Sequence, residues 1–389
     1  RMDGAAGVSM VEAPDRAAEV REALRSLKER IVRDGMKPSE VALLARESGP
    51  YRIFAIQTAA EFGMPIHIAD GLPLGESTII VALLDLLRLM LSAQAEGGGP
   101  AWPRKGVVAA WRSPYFDWTS VAAGISPADA DALDAAGRWG RVIGGLEQWN
   151  ETLRALASRD ASVEPEGEEK LPAGVVTGVE AKELEEKFLQ FREVIEPPRG
   201  KQQYRCFANW LKELIGFEGD EPRTAGLGSE PVTLNISDRV RENDSSATEL
   251  PTAGMDFAAL NALRIVLRDM VWVDEQDRGD EPVSYEQFFA EMVGSIEAAT
   301  YQLGSIPERQ QILFASVLRA RGLPFRAVAV LGLAEGEFPA TLREDPLLPE
   351  ADRAGLRQTR DLALESAIES SEREFFYEAA TAASQQLLL

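Results

Sequence analysis

The sequence predicts an α/β fold in which one parallel-sheet domain is split by a large, mostly helical insertion. Short, continuous apolar runs alternate with helical patterns at both ends of the 389-residue chain. This alternation is typical of parallel strands buried beneath helices. Between the ends, helical patterns are separated by acidic stretches that contain proline and glycine. We therefore expect residues 1–95 and 308–389 to form one domain and residues 96–307 to form a second, inserted domain.

The first segment of the predicted sheet domain shows a strand–helix rhythm. Residues 8–13 alternate as a short strand does, and a helix follows with Asp15 as its N-cap and Gly35 at its end. The run VALLAR at 41–46 is typical of a strand buried on both faces. A second helix ends at Gly63. The remaining predicted elements are a strand at 64–69 and a strongly apolar helix at 77–93.

The middle segment differs from the ends in its charge. The whole chain carries a net charge of -22, of which residues 96–307 carry -16. Amphipathic helices are clearest at 256–272 and 284–303, and the acidic stretches at 162–176 and 219–232 predict exposed loops. So acidic a segment argues against a broad nucleic-acid-binding surface, which requires clustered lysine and arginine.

Several classes of site are disfavoured by the residues that the sequence offers. It contains no GxxxxGK[ST] phosphate loop and no GxSxG, HExxH or CxxC pattern. With His67 and Cys206 as the single histidine and cysteine, we expect no metal site, and we expect Cys206 to be a buried or half-buried thiol. The lack of a paired nucleophile and base disfavours an unrelated small-molecule enzyme. The single cysteine and the lack of a membrane-length apolar run favour a reducing, cytoplasmic compartment and no membrane partner.

The strand–helix rhythm returns in the last segment. Apolar runs at 311–317, 327–333 and 384–389 predict three buried strands, and a helix from about 356 to 380 joins the last two. The turn after the second of these strands has the sequence GLAEGEF, beginning at Gly332. Ligands of open α/β sheets bind at the carboxyl ends of strands, so this turn is a candidate site. The alternative is a tight turn in which glycines supply positive φ.

Two ordered motifs resemble those of a known superfamily. SVLRARGLPFRAVAVLGLAEGEFP at 316–339 resembles motif V of the UvrD-like superfamily 1 helicases, and EREFFYEAATAASQQLLL at 372–389 resembles their motif VI. Residues 15–46 and 61–74 are similar to the first half of the second RecA-like domain, 2A, of that family. The insertion falls where the family inserts its helical 2B domain. The resemblance therefore implies a RecA-like 2A domain split by a 2B-like insertion.

Within that superfamily, the chain looks most like the B subunit of AddAB (RexAB)-type ATP-dependent nuclease-helicases. Residues 112–118, 320–339 and 344–356 carry this similarity. It implies DNA-end processing in recombinational repair, with DNA and a helicase-nuclease subunit as partners. It also implies a longer parent protein, whose ATP-binding 1A domain and PD-(D/E)XK nuclease domain lie outside this chain. ATP with Mg²⁺, and an iron–sulfur cluster, would be cofactors of that parent, and none is expected in this chain.

Departures from the family motifs bear on activity. The position of the motif VI arginine, which contacts the γ-phosphate in the family, is occupied by Ala382. Alanine offers neither the charge nor the donors that stabilise phosphoryl transfer. The resemblance implies a degenerate nucleotide cleft formed by Glu335, Arg373 and Ala382, with no catalytic residue. Tyr377 and Thr381 are interpreted as packing residues.

The resemblance also implies contacts to a phosphate backbone or to an adjacent domain. The residues concerned are Ser316, Arg319 and Arg321, and the alternative for each arginine is an ion pair within its own domain. The favoured hypothesis is an ATPase-inactive, helicase-like region that acts as a scaffold, DNA guide and partner surface. The alternative is a piece of an active UvrD-like helicase, which would need an arginine from elsewhere in place of Ala382.

Overall fold

A computed structural model of the protein divides into two compact units, Arg1–Leu72 with Gln302–Leu389, and Pro73–Tyr301. We call them the sheet unit and the helical unit. The residues that it describes are 7–91, 101–119, 124–159, 171–217, 234–236, 252–277, 281–302, 310–340, 347–360 and 372–389.

The sheet unit contains one parallel sheet built from both chain segments. The strands of the described chain, in both units and in chain order, are β1 (Val8–Ser9), β2 (Val41–Ala45), β3 (Ile66–Ile68), β4 (Leu72–Pro73), β5 (Thr300–Tyr301), β6 (Ile312–Ser316), β7 (Phe325–Leu331) and β8 (Ala383–Leu388). Within the described residues, six of them pair in the order β1-β8-β7-β2-β6-β3, all parallel. β4 and β5 form a separate two-stranded sheet. The predicted α/β fold with a parallel sheet is confirmed, and its central strand β2 pairs with β6 and β7 from the other segment.

The helices of the described ranges follow the predicted patterns closely. In chain order they are α1 (Arg16–Arg33), α2 (Arg52–Glu61), α3 (Thr78–Arg88), α4 (Arg104–Arg112), α5 (Pro127–Trp139), α6 (Leu146–Ala157), α7 (Gly178–Ile195), α8 (Tyr204–Ile215), α9 (Thr252–Asp277), α10 (Tyr285–Ala298), α11 (Glu350–Arg360) and α12 (Glu372–Thr381). The Asp15 carboxylate caps α1 by accepting from the Ala18 N–H at 2.8 Å, and Gly35 beyond its end has a φ of +64°. Both predicted ends of this helix are therefore confirmed.

The core of the sheet unit explains why its strands read as continuous apolar runs. All five residues of β2 are buried, because helices and turns cover both faces of the sheet. On one face, a single apolar cluster joins the sheet to α12 and to the turns that follow β6 and β7. Its members include Ala42, Leu44, Ala315, Val317, Ala320, Val328, Val330, Phe338 and Ala379.

The helical unit has an aromatic core. Trp102, Trp149, Phe188 and Phe191 are 0–4% exposed, and their rings meet at centroid distances of 5.4–6.4 Å. The Trp149 indole N–H donates to the Trp102 carbonyl at 3.1 Å, so the ring is both packed and hydrogen bonded. This cluster joins α6 and α7 to the segment that precedes α4.

Some boundaries differ from the predicted ones. The sequence pattern placed the end of the first sheet segment at residue 95, whereas the structure places α3 in the helical unit, where it packs against α4 and α9. A strongly apolar helix can be buried by either unit, so its composition could not assign it. The second boundary lies between Tyr301 and Gln302 instead of after residue 307.

Other predicted features lie partly outside the described residues. The predicted helix at 356–380 corresponds to α11 and α12, and residues 361–371 between them are outside the described ranges. The same holds for 162–170 and 219–232 of the predicted acidic loops and for 344–346 of the B-subunit-like stretch. The prediction for Cys206 is wrong, because its thiol is exposed on the side of α8 away from the buried residues. In the described part of the chain, every helix is too short or too polar to cross a membrane.

Candidate functional site

The carboxyl ends of the parallel strands lie at one edge of the sheet, and we call this the carboxyl edge. Polar residues follow β2, β3, β6 and β7 at this edge. The helix α12 also begins here, because it runs back along the sheet before β8. Three networks of hydrogen bonds hold these residues.

Asp70 organises the first network. Its carboxylate accepts from the Ser48 hydroxyl at 2.7 Å, the Ser316 N–H at 3.1 Å and the Arg319 Nε at 3.3 Å. Ser316 and Arg319, two of the predicted DNA-contacting residues, are thereby brought together at the ends of β3 and β6. The Arg319 side chain stays 68% exposed, so the ion pair leaves much of its guanidinium open to solvent.

A buried ion pair forms the second network. The Arg46 guanidinium donates to Glu372 with nitrogen–oxygen distances of 2.8–3.1 Å, and the Ala340 N–H donates to the same carboxylate at 3.1 Å. The Glu372 side chain is 6% exposed. Burial acts against ionisation of Glu372, but the bonds from Arg46 and Ala340 outweigh it and lower the pKa of the carboxyl. This pair ties the end of β2 to the start of α12.

The third network surrounds the turn after β7. The buried Tyr51 hydroxyl donates to Glu337 at 2.7 Å, and Arg16 lies 3.3 Å from both Glu337 oxygens. Burial and then the bond to Glu337 raise the pKa of Tyr51. The Gly332 N–H donates to Glu19 at 2.7 Å. The turn is therefore fixed to α1 and to the segment before α2.

Gly332 should not tolerate a side chain. Its φ is +79°, and a Cβ would lie 2.9 Å from the Tyr51 hydroxyl and 3.2 Å from a Glu337 oxygen. We expect Gly332→Ala to destabilise the protein by about 1 kcal/mol or more beyond the cost of positive φ alone. Gly322→Ala is the matched control, because Gly322 has a φ of +77° and open space around it. Urea unfolding of the two variants measures the difference, and equal stabilities would contradict the expectation.

The opposite, amino edge of the sheet holds Ala382. Its carbonyl accepts from the N–H of Phe325, the first residue of β7, at 2.9 Å, and its side chain packs against the core cluster. Arg321 lies on the same side and pairs with Glu378 at 2.9 Å. Glu378 in turn accepts from the Ala382 N–H through its carbonyl at 3.0 Å.

The structure does not bring the three predicted cleft residues together. Glu335 follows the end of β7 and Arg373 lies at the start of α12, so both lie toward the carboxyl edge, and both are exposed. Ala382 precedes β8 at the amino edge. The seven residues of β7 separate these edges by about 20 Å. Tyr377 and Thr381 are exposed, so their interpretation as packing residues is wrong.

Comparison with known proteins gives one consistent result. The chain is 23% identical over 359 residues to the B subunit of the ATP-dependent helicase/deoxyribonuclease of Moorella thermoacetica. It is 20% identical over 380 residues to that of Clostridium acetobutylicum, and 23% over 370 residues to that of Symbiobacterium thermophilum. The chain is similar to these B subunits. The alignments cover 90–95% of this chain but 28–29% of the relatives, and no protein-family model matches.

The predicted resemblance to a helicase/deoxyribonuclease B subunit is thus confirmed. The sequence reasoning nevertheless missed the residues that hold the carboxyl edge of this B-subunit-like chain, namely Arg46, Tyr51, Asp70, Glu337 and Glu372. A signal for some of them was present. Asp70 directly follows a predicted strand and Arg46 is the last residue of another, and side chains from different strands converge at such positions.

The central carboxylates at this edge of the B-subunit-like chain are all engaged in ion pairs. Asp70, Glu337 and Glu372 each accept a hydrogen bond from an arginine side chain, which is typical of a structural role. In the part of the chain that the structure describes, no group of three His, Cys, Asp or Glu side chains could hold a metal ion.

Proposed function

We propose that this chain is the helicase-like region of a DNA-processing helicase/deoxyribonuclease B subunit, and that it does not itself hydrolyse ATP. It acts as a scaffold, a DNA guide and a partner surface. The observation that carries the proposal is the setting of Ala382. Its carbonyl completes a bond to β7 and its methyl group packs on the core, so nothing at this position can reach a phosphate.

The paired acids of the carboxyl edge support the scaffold role. Asp70, Glu337 and Glu372 each join an arginine to a second element of the sheet unit. Such networks fix where strands end and helices begin. Each carboxylate is engaged in holding two elements of the sheet unit together, which suits a structural role better than that of a general base.

Ser316, Arg319 and Arg321 are the residues that we propose for contact with DNA. The side chains of Arg319 and Arg321 are 68% and 60% exposed, and exposed ion pairs contribute little, so a phosphate could share these guanidinium groups. The strong negative charge of the chain opposes such contacts. We expect duplex DNA to bind the 389-residue chain with a Kd above about 1 µM at physiological salt. Fluorescence anisotropy with a labelled duplex measures this, and submicromolar binding would contradict it.

An active helicase is the second candidate, and one observation favours it. Arg321 pairs with Glu378, and Glu378 lies one helical turn before Ala382. The Arg321 guanidinium is therefore on the same edge of the sheet as Ala382, which occupies the position of the motif VI arginine. A guanidinium there could supply the charge that Ala382 lacks.

The two candidates differ in what they predict for the parent polypeptide purified without partners. Under our proposal, DNA-stimulated ATP hydrolysis is absent, and changing the lysine of a phosphate loop, where the parent has one, alters nothing. An active helicase would lose hydrolysis in that lysine variant. It would also lose about 10³-fold or more in kcat in Arg321→Ala. Arg25→Ala, which removes an exposed cation on α1, is the control.

A further inference from the structure

The start of α4 and the turn between α5 and α6 lie side by side in the helical unit. The Arg104 N–H donates to the Ile143 carbonyl of this turn at 3.4 Å. Lys105 lies two helical turns before Arg112, which pairs with Asp131 of α5 at 2.6 Å, so Lys105 projects from the same side of α4. We call the cations gathered here the cationic patch, and its members are Arg104, Lys105, Arg138, Arg141 and Arg159.

Carboxylates neutralise only part of the patch. Buried Asp134 pairs with both Arg104 and Arg138, and the Arg138 side chain remains 68% exposed. The Arg159 guanidinium lies 5.1 Å from the ring centroid of Trp139 at the end of α5. Within the described part of the chain, three members of the patch pair with no carboxylate, namely Lys105, Arg141 and Arg159. The patch therefore stays positive, although the sequence of the helical unit holds 22 basic and 39 acidic residues.

Arg141 occupies a backbone conformation that favours glycine. Its φ is +50°, its N–H donates to the Arg138 carbonyl at 3.2 Å, and the Val142 N–H donates to the Gly137 carbonyl at 2.8 Å. These two bonds form the Schellman motif that ends α5, in which the left-handed position is usually glycine. An exposed arginine here carries the strain of a left-handed backbone without gaining a buried side chain. A strained residue of this kind points to a role for its side chain.

We propose that the cationic patch binds the phosphate backbone of a nucleic acid. Guanidinium groups bind phosphate oxygens with two parallel hydrogen bonds, an ammonium group binds them as a point charge, and both Arg141 and Lys105 are exposed. Contacts to phosphate carry no sequence information, so binding should not depend on the bases. This inference rests on the proposed function only in that DNA is the ligand. It adds a surface in the helical unit to the contacts proposed in the sheet unit.

An acidic polypeptide is the other anion that the patch could bind, and it fits less well. A nucleic acid carries phosphates at close, regular spacing, and its binding releases the counterions condensed on it. A polypeptide with scattered carboxylates lacks this source of free energy, which has to outweigh repulsion from the negative charge of the helical unit. The exposed Glu147 at the start of α6 lowers the charge beside the patch by one, which still leaves an excess of cations.

The test measures binding of a labelled duplex to the 389-residue chain by fluorescence anisotropy. Salt is lowered to about 50 mM, because phosphate contacts strengthen at low salt and a weak complex becomes measurable. We expect the double variant Lys105→Gln with Arg141→Gly to bind about tenfold more weakly. The slope of log affinity against log salt should fall in size by about 2, or about one for each phosphate contact removed. Two duplexes of unrelated sequence should lose affinity equally.

A second double variant controls for the loss of two positive charges. Arg199→Gln with Lys201→Gln removes two exposed cations between α7 and α8, and it should bind within about twofold of the unaltered chain. Urea unfolding controls for folding. The midpoint of Arg141→Gly should be at least that of the unaltered chain, because glycine suits the left-handed conformation better than arginine does.

Three results would overturn the proposal, namely no binding at low salt, an unchanged affinity in the patch variant, or an equal loss in the control. A lower urea midpoint for Arg141→Gly would assign that arginine a structural role and would also contradict the proposal. Labelled poly-glutamate that binds as tightly as the duplex, and more weakly to the patch variant, would identify an acidic polypeptide as the ligand. If Arg319→Ala weakens duplex binding and the patch variant does not, the patch is no contact, yet the DNA contact proposed for the sheet unit stands.

Discussion

Replacing Glu372 with alanine should destabilise the sheet unit by about 2–3 kcal/mol. The carboxylate is 6% exposed, and the Arg46 side chain that it pairs with is 19% exposed. Its removal takes the less exposed of two carboxylate partners from the partly buried Arg46, which keeps the exposed Glu47 at 3.0 Å, and it leaves the Ala340 N–H without an acceptor. Hydrogen exchange of the β2, β7 and α12 peptides, with urea unfolding followed by circular dichroism, measures the loss.

Two further variants separate the ion pair from the helix that carries it. Glu374→Ala removes an exposed carboxylate two residues away on α12 and should change stability by about 0.5 kcal/mol or less. The double variant Arg46→Met with Glu372→Leu replaces both charges by apolar groups and should recover much of the loss. If the free energy of unfolding of Glu372→Ala lies within about 1 kcal/mol of that of the unaltered protein, the ion pair does not contribute substantially to stability.

The same pair should make stability depend on pH in the acidic range. The pKa of Glu372 is lowered from its ordinary value of 4.5 in the folded protein, so folding favours the ionised form. The ion pair makes its full contribution to the free energy of unfolding above about pH 4.5, the ordinary pKa of glutamate. This contribution is lost as the pH falls toward the lowered pKa of Glu372. The stability difference between the unaltered protein and Glu372→Gln should therefore be constant near neutrality and shrink below that pH.

Phe188→Ala should cost the helical unit about 3–5 kcal/mol. Phe188 is fully buried, and its ring lies 5.4 Å from the ring of Trp149, 6.0 Å from that of Trp102 and 6.4 Å from that of Phe191. Truncation removes a large buried area and leaves a cavity that the surrounding rings cannot fill without leaving their rotamers.

The tryptophans make this prediction easy to measure. All seven lie between Trp102 and Trp272, inside the helical unit, so tryptophan fluorescence during urea unfolding reports on that unit. Leu189→Ala is the control, because it truncates the neighbouring residue, which is 39% exposed. We expect it to cost less than about 1 kcal/mol. Similar losses in the two variants would show that the aromatic cluster does not dominate the stability of this unit.

The sequence determined the architecture because its signals are local. The five-residue apolar run of β2, the Asp15 cap and the glycine after α1 each specify an element through its own residues. Continuous apolar runs at both ends of the chain predicted strands of a parallel sheet, because such strands are covered by helices on both faces. The resemblance to the family motifs predicted the same interrupted order.

Only the tertiary structure decided which polar residues meet. Glu335 and Glu337 stand two apart in one turn, yet Glu337 turns inward to Tyr51 and Arg16 while Glu335 faces solvent. Arg46 and Glu372 are 326 positions apart, and no local pattern relates them. Whether each of these polar side chains is buried depends on the segments, distant in the chain, that pack around it. For the same reason, α3 could be assigned to the helical unit only after its neighbours α4 and α9 were known.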